Sequence, residues 1–541
     1  LPWLIGLGFA LIVASLVVPF EWRRITSDAW FHVAVVHEMS RAGIPPQDPY
    51  FAGLGLQYFW FFHTVLLGWQ HASSLSPAGT MALLNIVGAG LCVPAAATLG
   101  RALNFPKDAC RWAGVVILLG MGGMFWALFP IKLITLFYGE VTGMAAVRDL
   151  VGDTSNLMPI DTGRIVSIGN STSFILRKFL VGTAASWAML LVLITGASAL
   201  RFARHRRAAE LIFLFLSSLG AFLFHTIVGG ASVVAIAGGA FLVFVTGRGP
   251  RKPSLWIMFA IALSLVLCVP YLMSVTSGKE SSNMFPLGIH LWAILSLPIT
   301  LFGVGLLAPF ALKRIWKRGP GPDMLFLGWL LCALGYALLA RLPGPNQFDK
   351  PPMILYMPLA VAAGLAIPAI WHKLTRTRSR VWFAVALFMF LVPENCFRAY
   401  GFFNDRFFPA NWEEEAPLYE WIGENTERDA VVIDAPERTD VLLRAPRRQL
   451  YGLETYAYQW GYDAEEMDRR YKLKQEIYKG SGALPKTTVE TLRSLSIDLD
   501  APLYVVVRNA ETPNVSRRLL ASRQFQSVFH EDGRHVFSFQ P

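Results

Sequence analysis

Apolar runs of about 17–23 residues recur along the chain, the length that a helix needs to cross about 30 Å of hydrocarbon. They fall near 2–20, 79–100, 109–131, 179–200, 209–227, 228–246, 255–273, 292–312, 324–341, 353–371 and 381–398. This pattern predicts about eleven transmembrane helices. The pair over 209–246 is the weakest, since only the turn His225–Gly230 separates its halves. Segment 57–72 is apolar but short, and is expected to lie at or dip into the membrane surface. A twelfth span is the competing reading.

Beyond residue 400 the pattern changes. Ala430–Asp434 and Leu503–Val507 are short β-branched runs suited to buried strands. Asp463 to Tyr478 predicts a helix, with Asp463 as cap, Glu466 three residues on and Gly480 past the end. Leu484–Leu495 predicts another. Phe525–Phe529 and His535–Phe539 flank Asp532-Gly533, a hairpin signal. The expected organisation is a polytopic α-helical membrane domain over 1–400, with outer loops 21–78 and 132–178. A soluble extracytoplasmic α/β domain over 401–541 follows.

Composition agrees with that division. Of the 541 residues, 54% are hydrophobic and 16% charged, with mean hydropathy +0.44. Soluble chains carry roughly 25% charged residues, so a soluble enzyme fits poorly. Five cysteines form no CxxC pair, which removes the usual zinc and redox signatures. The chain opens on Leu1 with apolar sequence at once, so its N-terminus reads as trimmed.

The net charge of +11 is topological. Segments 101–111, 201–207, 248–252, 313–318 and 373–380 hold 18 Lys and Arg. All five fall on one side only if 57–72 does not cross, and that side is then cytoplasmic. The N-terminus is thereby placed inside and both outer loops and the tail outside. The tail itself carries a net −5. Nucleic acid is not needed to explain the basic excess.

The first outer loop is the most informative stretch. Ser27 is suited to cap a helix starting at Asp28, and Gly43 with Pro45-Pro46 stops it. Asp28 and His32 stand four apart on one helix face. Trp30, Phe31, Val33 and Val36 would bed the helix into the interfacial layer. Asp28 lies at the positive helix end, which favours its ionised form. Such a carboxylate can accept a proton from a hydroxyl or help hold a metal ion. A helix-end aspartate that only meets the dipole is the simpler reading. In Gly43-Ile-Pro-Pro-Gln-Asp48-Pro-Tyr50, three prolines stiffen the path. The turn either holds Asp48 and Tyr50 over a cavity or leaves Asp48 facing solvent. Gln57-Tyr-Phe-Trp-Phe-Phe-His63 supplies an aromatic belt.

These three stretches, SDAWFHVAVVHEMSRAG, IPPQDPYFAG and QYFWFFH, resemble the GT-C superfamily of polytopic glycosyltransferases. The layout of spans, outer loops and extracytoplasmic tail is similar to theirs as well. The resemblance covers the chain in architecture but only residues 25–65 in motif. It implies a polyprenyl-phosphate-linked sugar donor, a glycan, lipid or protein acceptor, and a role in cell-envelope glycan biosynthesis. A bacterial or archaeal plasma membrane is the implied location. It also implies Asp28 as the first-loop acidic residue, acting as base or metal ligand. Glu140 would be the second-loop acidic residue, with Asp149, Asp153 and Asp161 as alternatives. Neither loop holds a tight DxD or DE pair, so a divalent metal stays an open possibility. No WWD-type motif appears, which argues against the oligosaccharyltransferase branch.

Other polar residues near membrane depth are functional candidates by default. His225 could bind a donor phosphate or sugar, or simply hydrogen-bond a neighbouring helix. Arg341 and Lys350 could neutralise a lipid phosphate or anchor helix ends. Arg164, Arg177 and Lys178 are weaker candidates of this kind, and Tyr271 and Lys279 could line the cavity. Arg447-Arg448 and Asp468-Arg469-Arg470 are expected on a solvated surface. The leading expectation is an extracytoplasmic-face glycosyltransferase whose cavity forms between the outer loops, under the tail. A lipid or polyol transporter or flippase is the alternative from another class. A lipid-linked glycan polymerase or ligase is the chemically closer one.

Overall fold

The computed structural model describes residues 1–17, 27–120, 179, 183–276, 297–298, 300–340, 350–393, 395–396, 414–435, 438–453, 461–480, 482–508 and 513–541. The chain divides into two compact units. One comprises Leu1–Trp22, Met81–Tyr271 and Asn283–Asp405. The other comprises Arg23–Thr80, Leu272–Ser282 and Arg406–Pro541.

The first unit is helical. Its helices are α1 (Pro2–Val17), α4 (Pro77–Ala102), α5 (Lys107–Leu119), α6 (Ala184–His205), α7 (Ala208–Phe224) and α8 (Ala231–Thr246). They continue with α9 (Arg251–Thr276), α10 (Phe302–Lys317), α11 (Met324–Leu339), α12 (Lys350–Lys373) and α13 (Thr377–Leu391). A described helix overlaps each apolar segment picked out above, in some only in part. Five stretches are long and apolar enough to cross a membrane: Pro77–Ala102, Ala184–His205, Thr226–Thr246, Arg251–Val275 and Lys350–Lys373. Pro2–Val17, Ala208–Phe224 and Met324–Leu339 are shorter apolar helices. The chain is thus a polytopic α-helical membrane protein with a C-terminal domain built on a β-sheet.

Packing in this unit follows membrane rules, in which small residues let backbones approach. A Cβ on Gly364 of α12 would overlap the Ala113 backbone of α5. Gly239 of α8 and Gly328 of α11 meet in the same way. The Tyr356 hydroxyl of α12 donates to the Val116 carbonyl at 2.6 Å. Conversely, α9 leaves Trp256, Phe259, Val266 and Met273 more than half exposed. That apolar surface suits lipid and would be a liability in water.

The second unit joins segment 23–80 to the tail. Its loop part holds α2 (Ser27–Ala42) and α3 (Phe61–Ser73). With 13 residues α3 is about 20 Å long, too short to span a bilayer. The tail adds α14 (Ala416–Asn425), β1 (Val431–Ile433), α15 (Asp440–Arg444), β2 (Arg448–Gln449), α16 (Ala464–Lys479) and α17 (Lys486–Asp498). It ends with β3 (Leu503–Arg508), α18 (Pro513–Leu520), β4 (Phe525–Glu531) and β5 (Arg534–Phe539). The sheet order is β2-β1-β3-β5-β4, with β1 parallel to both β2 and β3 and the other pairs antiparallel.

Both β-branched runs became strands because both faces of the sheet are covered. Val431, Ile433, Leu503, Val505 and Val507 pack on α16 and α17 through Leu473, Ile477, Leu492 and Leu495. Val432, Tyr504 and Val506 face the opposite way, into a core with Phe31, Val35, Tyr50, Leu418 and Ile422. The expected helix cap holds, since the Asp463 carboxylate accepts from the Glu466 N–H at 3.1 Å. So does the hairpin: Asp532 and Gly533 take φ +47° and +75°, as a tight turn between twisted strands requires.

Two surface expectations are corrected. Phe31, Val33 and Val36 are buried inside the protein, so α2 is a core element rather than a helix bedded in the interface. Arg447, Arg448 and Arg470 are buried too, because backbone carbonyls need donors there. Arg447 donates to the Gly423 and Thr426 carbonyls at 2.7 and 2.9 Å. Arg470 donates to the Ala52 carbonyl at 2.8 Å. Arg469 alone of the pair 469–470 has an exposed side chain.

Candidate functional site

The site is built on α2, α3 and the stiff turn between them. Helix α2 ends as the sequence requires, with Gly43 at φ +89° and its N–H on the Met39 carbonyl. The backbone of Asp28 lies in its first turn. His32 follows one turn later on the same face and is 2% exposed.

His32 is held from α3. Its Nδ1 lies 2.8 Å from Nε2 of His63, and His63 Nδ1 lies 3.3 Å from the Trp60 carbonyl. A carbonyl only accepts, so His63 carries its proton on Nδ1 and its Nε2 accepts from His32 Nδ1–H. Burial, then the neighbouring His32, push the His63 pKa well below the usual histidine range. His63 is therefore neutral near pH 7, which the one-proton contact requires. The pairing places the basic lone pair of a neutral His32 on Nε2. Phe31, Tyr58 and Phe62 ring the pair, with Tyr58 edge-on to Phe31 at 4.8 Å.

The turn is locked to the tail. Asp48 is fully buried. It accepts from the Tyr50 N–H at 2.7 Å and the Tyr462 hydroxyl at 2.5 Å. Tyr462 also meets the Gly55 carbonyl at 3.1 Å. Burial raises the Asp48 carboxyl to about 7, against these hydrogen bonds, which lower it. Tyr50 is 1% exposed, stacked on Phe31 at 5.8 Å and packed against Gly452. The Gln449 N–H donates to the Pro49 carbonyl and the Ala52 N–H to the Gln449 carbonyl, so the turn is tied to β2. Asp48 and Tyr50 thus fix the frame that carries α2, and neither offers a solvent-facing side chain.

The other candidates are dispersed. His225 ends α7, where its Nδ1 accepts from the Val228 N–H at 3.2 Å and caps the π-helical turn Thr226–Gly230. The Tyr271 hydroxyl reaches the Leu223 carbonyl nearby, at 3.4 Å. Lys350 opens α12 and is partly exposed. Glu140, Asp149, Asp153, Asp161, Arg164, Arg177, Lys178, Lys279 and Arg341 lie outside the described residues. Among the described residues no three His, Cys, Asp or Glu converge as a metal site. Sequence reasoning missed His63 as a partner for His32. Its only signal is a histidine closing an aromatic run 31 residues later.

No protein-family model matches the chain, and no curated protein matches it by sequence. Its fold does match solved structures. ArnT from Cupriavidus metallidurans bound to undecaprenyl phosphate aligns with TM-score 0.52 at 13% identity. That match covers 99% of this chain and 97% of that one. The arabinofuranosyltransferase AftD from Mycobacteria aligns with TM-score 0.55 at 12% identity, over 99% of this chain and 40% of that one. The chain therefore shares the fold of these two solved structures.

Proposed function

We propose that the protein is a membrane glycosyltransferase that moves a sugar from a polyprenyl-phosphate-linked donor to an acceptor hydroxyl at the extracytoplasmic face. One observation carries the reading: the likeness to ArnT runs over 99% of this chain, at a TM-score of 0.52. Fold alone does not fix chemistry, so the residues must supply it. Asp28 takes the acceptor's proton as the hydroxyl oxygen attacks the anomeric carbon. The bond from that carbon to the phosphate oxygen breaks, and polyprenyl phosphate leaves. His32, oriented by His63, positions the helix face that carries Asp28. Asp48, Tyr50 and Tyr462 keep the turn rigid, since small misplacements at a reacting centre are costly. Arg341 and Lys350 neutralise the departing lipid phosphate, while Glu140 and His225 assist on the donor side. About eleven spans, an inner N-terminus and an outer tail complete this reading.

The test is sugar transfer from a lipid-linked donor by the purified full chain and by its Asp28→Asn variant. Transfer with release of polyprenyl phosphate, lost in the variant, is expected. Counterflow of the lipid without bond cleavage would instead mark a flippase.

A further inference from the structure

We infer that the helical unit holds a bound anionic glycerophospholipid in a groove formed by α1, α4, α6 and α7. Two adjoining cavities define it. One, of about 330 Å³, is mainly apolar, lined by Trp3, Leu91, Pro94, Ala95, Ile194 and Phe213, with Glu210 at its polar end beside Arg201. The other, of about 300 Å³, is lined by Arg101, Arg201, Arg204 and His205 with Thr98 and Asn104. Thr98 and Arg201 border both, so apolar and cationic halves are continuous. That division matches an acyl chain joined to a phosphate head group.

The cations are only partly satisfied from within. Arg201 pairs with Glu210 at 2.8 Å. Arg204 binds Asp323 through one nitrogen at 2.5 Å, and Arg318 shares that carboxylate. Nε and Nη1 of Arg204 are enclosed and have no hydrogen-bond partner among the described residues. Arg101 donates to Thr98 Oγ1 at 3.1 Å, and no described carboxylate pairs with it. Among the described residues no carboxylate lines the second cavity, whereas three arginines do. A buried donor without a partner is costly, and a phosphate diester supplies several acceptors at once. Trp3 and Phe213 are more than half exposed at the apolar end, which leaves the groove open to entry from the bilayer. The charge bias along the chain puts this end of the spans in the cytoplasmic leaflet, away from the proposed sugar chemistry.

Native mass spectrometry of the full chain in detergent with equal phosphatidylglycerol and phosphatidylcholine tests this. A retained phosphatidylglycerol adduct is expected, in preference to phosphatidylcholine. R101Q and R204Q should each weaken it about fivefold, the share of one arginine beside a lipid phosphate. K373Q removes the same charge from the same face outside the groove and should leave the adduct unchanged. A95F, which fills the apolar half, should also expel the lipid, although it would not affect inorganic phosphate. Thermal unfolding confirms that each variant is folded, and A95F keeps the test open should R204Q misfold. No lipid preference, or equal loss in K373Q, would overturn the assignment. Stronger retention of undecaprenyl phosphate than of phosphatidylglycerol would overturn the identity of the occupant.

Discussion

Asp48→Asn isolates the buried carboxyl that fixes the first-loop turn. In the folded protein this carboxyl titrates at about 7, and its ordinary value is 3.8. Between those values the folded chain binds a proton that the unfolded chain has lost, so stability falls as pH rises through this window. The gap corresponds to about 4 kcal/mol at full development. Asparagine keeps the oxygen that accepts from the Tyr50 N–H. Its amide can donate to the Tyr462 hydroxyl, which turns to accept. The variant therefore lacks the pH-dependent term and little else. The unit that contains Asp48 has about 200 residues, for which each kcal/mol moves Tm by about 2–4 °C. Tryptophan-fluorescence unfolding in detergent across pH 4 to 8 measures both proteins. The variant's Tm minus that of the wild type should climb with pH by about 8–16 °C and level off above 7. A difference that stays flat across the range would refute the burial argument.

His63→Ala removes the acceptor for His32 Nδ1 and should cost about 1–3 kcal/mol of stability. If His63 also positions the catalytic face, kcat falls more than KM rises, and His63→Gln, with an acceptor oxygen, restores part of it. A change in stability with kcat intact would leave the pair purely structural. Arg508 binds Asp434 at 2.6 Å, Glu415 at 2.9 Å and the Tyr419 hydroxyl at 2.6 Å, all buried. Arg508→Ala strands two buried carboxylates, so urea unfolding of the full chain should show a loss of about 3–5 kcal/mol. A loss below about 1 kcal/mol would show that water reaches this network.

Local pattern carried much of this fold. The apolar runs located the helices because a lipid-facing helix must be apolar along its whole length. Val431 to Ile433 and Leu503 to Val507 read as strands because both their faces are buried, which forces a continuous β-branched run. Asp532-Gly533 set its hairpin through two positive φ angles. What stayed hidden depends on distant partners. Nothing near Asp48 announces Tyr462, 414 residues away, so solvent exposure remained open for a carboxyl that is wholly enclosed. Arg447, Arg448 and Arg470 look like surface charge until the carbonyls they satisfy are known. The apolar face of α2 fits a membrane surface as well as a protein core, and only Leu418, Val432 and Val506 decide between them. At the site, Asp28 and His32 share a face by spacing alone, but the His32–His63 contact depends on the turn that brings α3 beside α2.

The proposed reaction is transfer of a lipid-linked sugar with Asp28 as its base. The most direct measurement is single-turnover transfer from a radiolabelled polyprenyl-phosphate sugar by purified wild-type and Asp28→Asn protein of equal thermal stability. Wild type should release polyprenyl phosphate in step with product, and the variant should lose at least about 100-fold in rate, the lower range for general-base catalysis. Full activity in Asp28→Asn would contradict the account.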